Sequence, residues 1–432
     1  MYVFYSLLLA FAALLSLPWW IIQMLRLGKY RSGLAERLGF VPTRLNDAQP
    51  GSIWVHAVSV GEVLAVSQLI DDLQRQYPDR QVFVSTTTAT GQALARQRFG
   101  ENRAFFMPLD FGFAVRRYLN ALKPQLIVIA ETEFWPNLLH LAGKRQTSLA
   151  IVNARISDRS FPRYRRFKWF FARVLSEVDL FLAQTADDAQ RLREIGAHTE
   201  RVRVSGNLKF DIRPSAQPAL VSGLRSAIGK DSPVIVCGST AEGEEEPLLA
   251  AFKTVQRQFP ATVMVLAPRH PERFEKVATL ISSEGFSLQR RTQWQPPQAI
   301  RGGIFLLDSV GELAAVYELA DIAFVGGSLV PTGGHNILEP AQYGAAILVG
   351  PHTFNFREIV SIFEQGKAEQ GGAVKTVTAG NLASQFLSLL THPDERQHMG
   401  RLAKDLFTKH SGATRRTLDA LAPLLKQQER GR

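Results

Sequence analysis

The residue types in this chain that could do chemistry gather just after short apolar runs, and the first-half clusters are rich in acids. In His56-Ala-Val-Ser-Val-Gly-Glu62, Gly61 permits a tight turn and Glu62 then falls in the first turn of the following helix. A carboxylate there, its pKa raised by burial, could take the proton of an attacking hydroxyl. The same carboxylate would also complement a helix dipole in any protein. Glu131-Thr-Glu133-Phe-Trp-Pro136-Asn sets two carboxylates one residue apart at the end of an apolar run, where burial is costly without partners or work. Lys209, in Gly206-Asn-Leu-Lys209-Phe-Asp211, could neutralise a substrate carboxylate or phosphate. Asn153-Ala-Arg155-Ile-Ser-Asp158 completes the set. Taken one at a time, the last three clusters read as structural.

The second half carries a different chemistry. Cys237-Gly-Ser-Thr240 runs into Glu242-Gly-Glu244-Glu-Glu246, a glycine turn entering an acidic helix start. Pro268 and Arg269 end another apolar run and offer a fixed guanidinium to a phosphate oxygen. Asp308-Ser-Val310-Gly311-Glu312-Leu313 supplies backbone N–H groups at a helix start. The window Gly326–Pro351 clusters glycines, then places Asn336-Ile337-Leu338-Glu339-Pro before a helix. Glycine lets a backbone approach a ligand, and the Glu339 carboxylate could accept from both hydroxyls of a ribose. An ordinary tight helix–strand connection would use the same residues. Together these loops suffice for one phosphate, one ribose and one base. Neither G-x-x-x-x-G-K-[ST] nor G-x-G-x-x-G occurs, so an ATPase or dinucleotide enzyme is poorly supported. With no Asp-x-Asp pair after a strand, no metal-held pyrophosphate and no metal are expected. Cys237 is the single cysteine, which excludes an intramolecular disulfide and a cysteine-based zinc site. Its apolar run marks it as a buried strand residue.

These clusters need strands and helices to position them. Apolar runs at 53–58, 82–85, 104–107, 126–130, 149–152, 180–183 and 202–204 predict parallel strands, with helical periodicity between them, as at Val63, Val66, Leu69, Ile70 and Leu73. The alternation restarts at 234–237 and continues at 263–267, 304–307, 322–325 and 346–349. The reading is α/β: two Rossmann-like domains facing across a cleft, with ligand sites at the strand carboxyl ends. Expected boundaries are an N-terminal anchor over 1–25, a first domain over 26–212, a linker over 213–232 and a second domain over 233–408. The basic helical segment 409–432 is expected to pack back on the first domain.

Composition narrows the partners. The 432 residues carry a net charge of +11, which calls for an anionic partner. From Arg155 to Arg173, seven basic side chains face one acid, Asp158, and alternate with Phe161, Tyr164, Phe167, Trp169, Phe170 and Phe171. Such a mixture suits a membrane interface or single-stranded RNA, and equally a solvated helix with a packed aromatic face. Met1 to Leu25 has no charged side chain, and Val3–Ile22 is long enough to span a bilayer. Arg26, Lys29, Arg31 and Arg37 follow, so the positive-inside rule places the body in the cytoplasm. Ser16-Leu-Pro-Trp-Trp20 lacks a small-x-small cleavage site, so an uncleaved anchor is expected; Pro18 and the tryptophans leave open a segment that dips into the interface.

Eight motifs in order, HAVSVGE, ETEFWPN, NARISDRS, GNLKFD, CGSTAEGEEE, APRHPERF, DSVGEL and GGHNILEPAQYG, cover essentially the whole chain. They resemble the Kdo (3-deoxy-D-manno-octulosonic acid) transferases of Gram-negative lipopolysaccharide synthesis. The resemblance implies an inverting transferase of the GT-B arrangement that moves Kdo from CMP-Kdo to a lipid A precursor, with no cofactor or metal. It implies Glu62 as general base and Glu131 and Lys209 as transition-state stabilisers. By the same resemblance Pro268, Arg269, Val310, Gly311, Glu312, Asn336, Ile337, Leu338 and Glu339 hold CMP. The expected setting is the cytoplasmic side of a bacterial inner membrane, on an anionic surface and without nucleic acid. The alternatives are a GT-B transferase using a UDP-sugar, or a membrane-tethered RNA-binding protein.

Overall fold

The computed structural model describes residues 1–27, 32–211, 218–296, 298–365 and 372–426. Lys29 and Arg31 of the basic flank, residues 213–217 of the expected linker and the tail from 427 lie outside them. The chain divides into two units, Met1–Asp211 with His410–Arg432, and Ile212–Lys409.

The first unit is built on seven parallel strands: β1 (Ser52–His56), β2 (Val82–Thr86), β3 (Ala104–Phe106), β4 (Pro124–Ala130), β5 (Ser148–Ala154), β6 (Leu180–Ala183) and β7 (Val202–Val204). Their order in the sheet is β3-β2-β1-β4-β5-β6-β7. Helices cover both faces, so alternate residues of one strand enter opposite apolar layers: Trp54, Ile127 and Ile129 on one side, Ile53, Val55, Leu126 and Val128 on the other. That double burial explains why the strands read as continuous apolar runs. The helix Val60–Gln76 buries Val63, Val66, Leu69, Ile70 and Leu73, the face its periodicity predicts.

The order reverses between β1 and β4. Two crossovers run outward from β1 to β3, and the chain then returns to lay β4 on the other side of β1. The loops after these two strands therefore part and leave a crevice at the sheet's carboxyl edge.

The helix Ala413–Lys426, although last in sequence, belongs to this first unit. Leu418, Leu421 and Leu425 join the layer formed by Val66 and Ile70. The Asp211 carboxylate accepts from the N–H groups of Gly412 and Thr414, satisfying donors at its start. At its other end Gln125 donates to the carbonyl of Leu425 at 2.6 Å.

The second unit repeats the plan with β8 (Val234–Thr240), β9 (Val263–Pro268), β10 (Leu288–Arg290), β11 (Gly303–Leu306), β12 (Ile322–Val325), β13 (Ala346–Val349) and β14 (Val374–Thr376). Their order is β10-β11-β9-β8-β12-β13-β14, all parallel. The reversal here lies between β8 and β12. Cys237 is fully buried in β8, and burial pushes its thiol pKa far up, so it is inert packing. The outer strands β10 and β14 were not among the sequence expectations.

Two segments outside the sheets need notice. Tyr2–Leu27 is one continuous helix, long and apolar enough to cross a membrane, with a mean hydropathy of 1.9 over Tyr2–Met24. The basic-aromatic stretch folds as two short helices, Phe161–Arg166 and Lys168–Leu175. Phe161, Tyr164, Phe170 and Phe171 pack against the core of the first unit, while Phe167 and Trp169 stay 46% and 70% exposed. The interleaving thus separates into an inward packing set and an outward pair flanked by arginines.

Candidate active site

In the first unit the crevice between β1 and β4 gathers acids from two loops. Glu62 sits in the first turn of Val60–Gln76. One carboxylate oxygen accepts from the Val58 N–H at 2.8 Å, the other from the Ser59 hydroxyl at 3.2 Å. Burial pushes its pKa up to about 7; Glu131 and Glu133 push the same way, against the hydrogen bonds from Val58 and Ser59. The Glu133 carboxyl is likewise raised, first by burial and then by Glu131.

Glu131 follows β4 with φ at 56°, a left-handed backbone that costs a non-glycine residue on the order of 1–3 kcal/mol. Its N–H donates to the Val152 carbonyl at 2.9 Å, which holds the turn in place. Asn153, next in β5, is also left-handed, at φ 54°, and fully buried. Its side-chain oxygen accepts from Leu208 N–H at 3.0 Å and fixes the short turn Leu208–Phe210 that carries Lys209. The Lys209 ammonium lies 3.9 Å from the Glu131 carboxylate, both half-buried. Beneath them His56 is fully buried, with Nδ1 2.9 Å from the Ser85 hydroxyl. Burial lowers its pKa to about 4, so this imidazole is neutral at physiological pH. The structure thus brings Glu62, Glu131, Glu133 and Lys209 together.

In the second unit the sheet order sets the loops after β11, β9, β8 and β12 side by side. Arg269 follows β9, its N–H bonded to the Thr240 carbonyl at 3.0 Å. Its charge reaches the β12 loop. Glu339 is raised to about 6 by burial, while Arg269 and a hydrogen bond from Asn336 oppose the shift. His335 is lowered to about 4 by burial, with Arg269 and His270 adding to it. Arg269, Asn336 and Glu339 therefore share one local field.

The remaining expected residues contribute unequally. Ile337 and Leu338 are buried in the core, at 1% and 0% exposure, backbone included, so their side chains serve packing. Val310 is 78% exposed, and Gly311, at φ +88°, has no neighbour within 4 Å of where a Cβ would stand. This loop is open. Glu312 is not available as a free side chain: Arg291 grips its two oxygens at 2.9 and 2.8 Å, and Ser309 donates to it as well. Among the described residues no group of three His, Cys, Asp or Glu is placed to hold a metal ion.

Glu244 is the residue the sequence reading passed over. Fully buried, it accepts from the N–H groups of Ala241, Gly327, Ser328 and Leu329 at 2.8, 2.6, 2.9 and 2.7 Å. Four amide donors on one carboxylate lock the loop after β8 to the glycine-rich loop after β12. The glycines there are required by crowding: a Cβ on Gly326 would stand 2.6 Å from the Ser239 carbonyl. In sequence, the acidic run 242–246 signals only a helix start.

Two doubly wound units, with acids at the switch point of the first and an arginine–asparagine–glutamate group in the second, have the fold of the GT-B glycosyltransferases. A UDP-GlcNAc 2-epimerase from Neisseria meningitidis shares that fold at a TM-score of 0.53 and 14% identity, over 86% of this chain and 100% of its own. The family model for 3-deoxy-D-manno-octulosonic-acid transferase (kdotransferase) matches residues 32–212. The 3-deoxy-D-manno-octulosonic acid transferase of Haemophilus influenzae is 36% identical over 401 residues, covering 92% of this chain and 93% of that protein. That of Bordetella pertussis is 35% identical over 405 residues, covering 91% and 92%. The chain belongs to the 3-deoxy-D-manno-octulosonic acid (Kdo) transferase family, and it is a glycosyltransferase.

Because Glu244 organises two loops at once, Glu244→Ala is expected to destabilise the protein by roughly 3 kcal/mol or more, as four amides lose a charged acceptor. Denaturant unfolding measures this; an unchanged midpoint would show that the loops hold without it.

Proposed function

We propose that the enzyme transfers Kdo from CMP-Kdo to a sugar hydroxyl of a lipid A precursor, with inversion, at the cytoplasmic face of the inner membrane. The observation that carries this reading is the Glu62 carboxyl, held near pKa 7 beside two other acids. A base poised there is half ionised at working pH and can accept a proton as the new bond forms.

The acceptor hydroxyl gives its proton to Glu62 while its oxygen attacks the anomeric carbon of Kdo. The bond from that carbon to the CMP phosphate oxygen breaks on the opposite face, and its electron pair leaves with CMP. No covalent enzyme intermediate forms. Positive charge developing on the sugar is stabilised by the Glu131 carboxylate, and Lys209 neutralises an anionic group of the substrates. In the second unit Arg269 meets the single phosphate, Asn336 and Glu339 engage the ribose, and the Val310–Gly311 loop joins them in holding CMP. CMP leaves with one phosphate, so a guanidinium can do what a pyrophosphate leaving group assigns to a metal. The reading therefore includes no metal, no other cofactor and no nucleic acid. Exposed Phe167 and Trp169 among Arg163, Arg165, Arg166 and Lys168 suit an anionic lipid surface.

Purified protein given CMP-Kdo and a tetra-acylated lipid A precursor in EDTA is expected to release CMP and form the Kdo-bearing lipid. Turnover of a UDP-sugar instead would reject the donor, and transfer restored only by added magnesium would reject the metal-free reading. Glu62→Gln is expected to lower transfer at least ~100-fold, the scale of a lost general base, with CMP affinity unchanged. Turnover like the wild type would end that assignment. Arg269→Ala is expected to weaken CMP binding by roughly 1.5–3 kcal/mol, the worth of a charge-assisted bond; calorimetry showing equal affinity would mean another group holds the phosphate.

A further inference from the structure

The first turns of the N-terminal helix are not free. The Tyr2 hydroxyl donates to a Glu177 carboxylate oxygen at 3.0 Å, and the same oxygen lies 2.9 Å from His140 Nδ1. The Tyr2 ring stacks on the His140 imidazole at 3.8 Å. Asn137 donates to the Ser6 hydroxyl at 3.0 Å. The Tyr5 hydroxyl is hydrogen-bonded to Asp110, a buried carboxylate whose oxygens also take the N–H groups of Asn137 and Leu138, both at 2.9 Å. Every polar side chain in the first eight residues thus engages the first unit at a prepared polar patch.

The other end is tethered as well. A 26-residue helix is ~39 Å long. Gly33 follows Leu27 by six positions, a reach of at most roughly 20 Å. Gly33 lies so flat on Phe106 that a Cβ would stand 1.8 Å from the ring. Between these two tethers, the positions that escape full exposure are Tyr2, Tyr5, Ser6, Leu9, Ala10, Ser16, Trp20, Gln23 and Met24, and all but Ala10 recur on one face. Phe4, Leu8, Phe11, Leu15, Trp19 and Ile22 form an outward apolar stripe, each about half or more exposed.

A helix that crosses a bilayer carries its first residue some 30 Å away from the side where its last residue lies. Asp110, Asn137, His140 and Glu177 belong to the body of the first unit and cannot follow it there. We infer that this helix lies in the membrane plane as a monotopic anchor, its apolar stripe in the acyl region and its first turn docked on the first unit, and does not span. The inference rests on the membrane reading proposed above and deepens it. A lipid surface is the occupant the neighbouring chemistry favours: Tyr5 packs at 6.3 Å from Phe170, in the short helix that bears exposed Trp169 beside Lys168. Docked in this way, the helix fixes the height at which the first unit meets a lipid acceptor.

Two measurements on the full-length chain test this. Ser6→Cys combined with Asn137→Cys is expected to form an intramolecular disulfide in isolated membranes, absent in either single variant; the native Cys237 is buried and does not interfere. Independently, short epitope tags at the two termini are expected to be protected from protease added to spheroplasts, and both cut in inside-out vesicles. An N-terminal tag cut on spheroplasts while the C-terminal tag survives would overturn the in-plane anchor and leave membrane attachment standing. Recovery of the chain in the soluble fraction would remove the membrane reading and this inference with it. Dimers linked through Phe11→Cys, with no protection of that thiol by lipid, would put a second copy on the stripe and overturn the proposal.

Discussion

Desolvation of Glu62 next to two further carboxylates is the interaction from which most of the site's behaviour follows. Three acids in one half-buried crevice repel one another, and burial disfavours every ionised form. The fold offsets this only partly. Val58 N–H and the Ser59 hydroxyl support Glu62, and Lys209 at 3.9 Å faces Glu131, so the residual imbalance settles on Glu62 and Glu133 as raised pKa values. A fully satisfied carboxylate at the same place would be stable and a poor base. The parallel sheet makes the imbalance possible, because the reversal between β1 and β4 separates the two loops and leaves Glu62 a single backbone N–H, that of Val58, for support.

The second unit shows the contrast in one place. Glu244 and Glu339 are both acids at the sheet's reversal, with opposite surroundings. Glu244 receives four amide N–H groups and has no capacity left, which makes it a structural clamp. Glu339 has a hydrogen bond from Asn336 and the field of Arg269, and its pKa stays raised. The clamp keeps the glycine-rich loop in the shape that presents Asn336 and Glu339. Glu312 and Glu245 repeat the clamp solution with arginines: Arg291 holds the first, and Arg273 holds the second at 2.9 and 2.8 Å.

Much of this was legible in the residues. Strands buried on both faces must be apolar throughout, so twelve of the fourteen could be read, and the chemistry-bearing clusters had to follow them. Strands β10 and β14 escaped because each is three residues long and mostly half-exposed, with no run to mark it. The pairing of Glu312 with Arg291, and the amides on Glu244, join positions up to 85 apart, which periodicity cannot register. The basic-aromatic stretch was legible in composition but not in direction: only packing decides that Phe170 and Phe171 turn inward while Trp169 stays out. Likewise the length of the N-terminal apolar helix was plain, whereas its docking through Tyr2 and Ser6 depends on partners more than a hundred residues away.

The most direct test of the central claim is the pH dependence of kcat/KM for Kdo transfer. Under the proposed role of Glu62 as base, burial favours the form that cannot take a proton, so activity should rise with pH, fall about tenfold per unit below the transition, and level off above an apparent pKa of about 7. A profile that stays flat down to pH ~5 would mean the base is an ordinary solvated carboxylate, with a pKa near ~4.3, and would contradict the account.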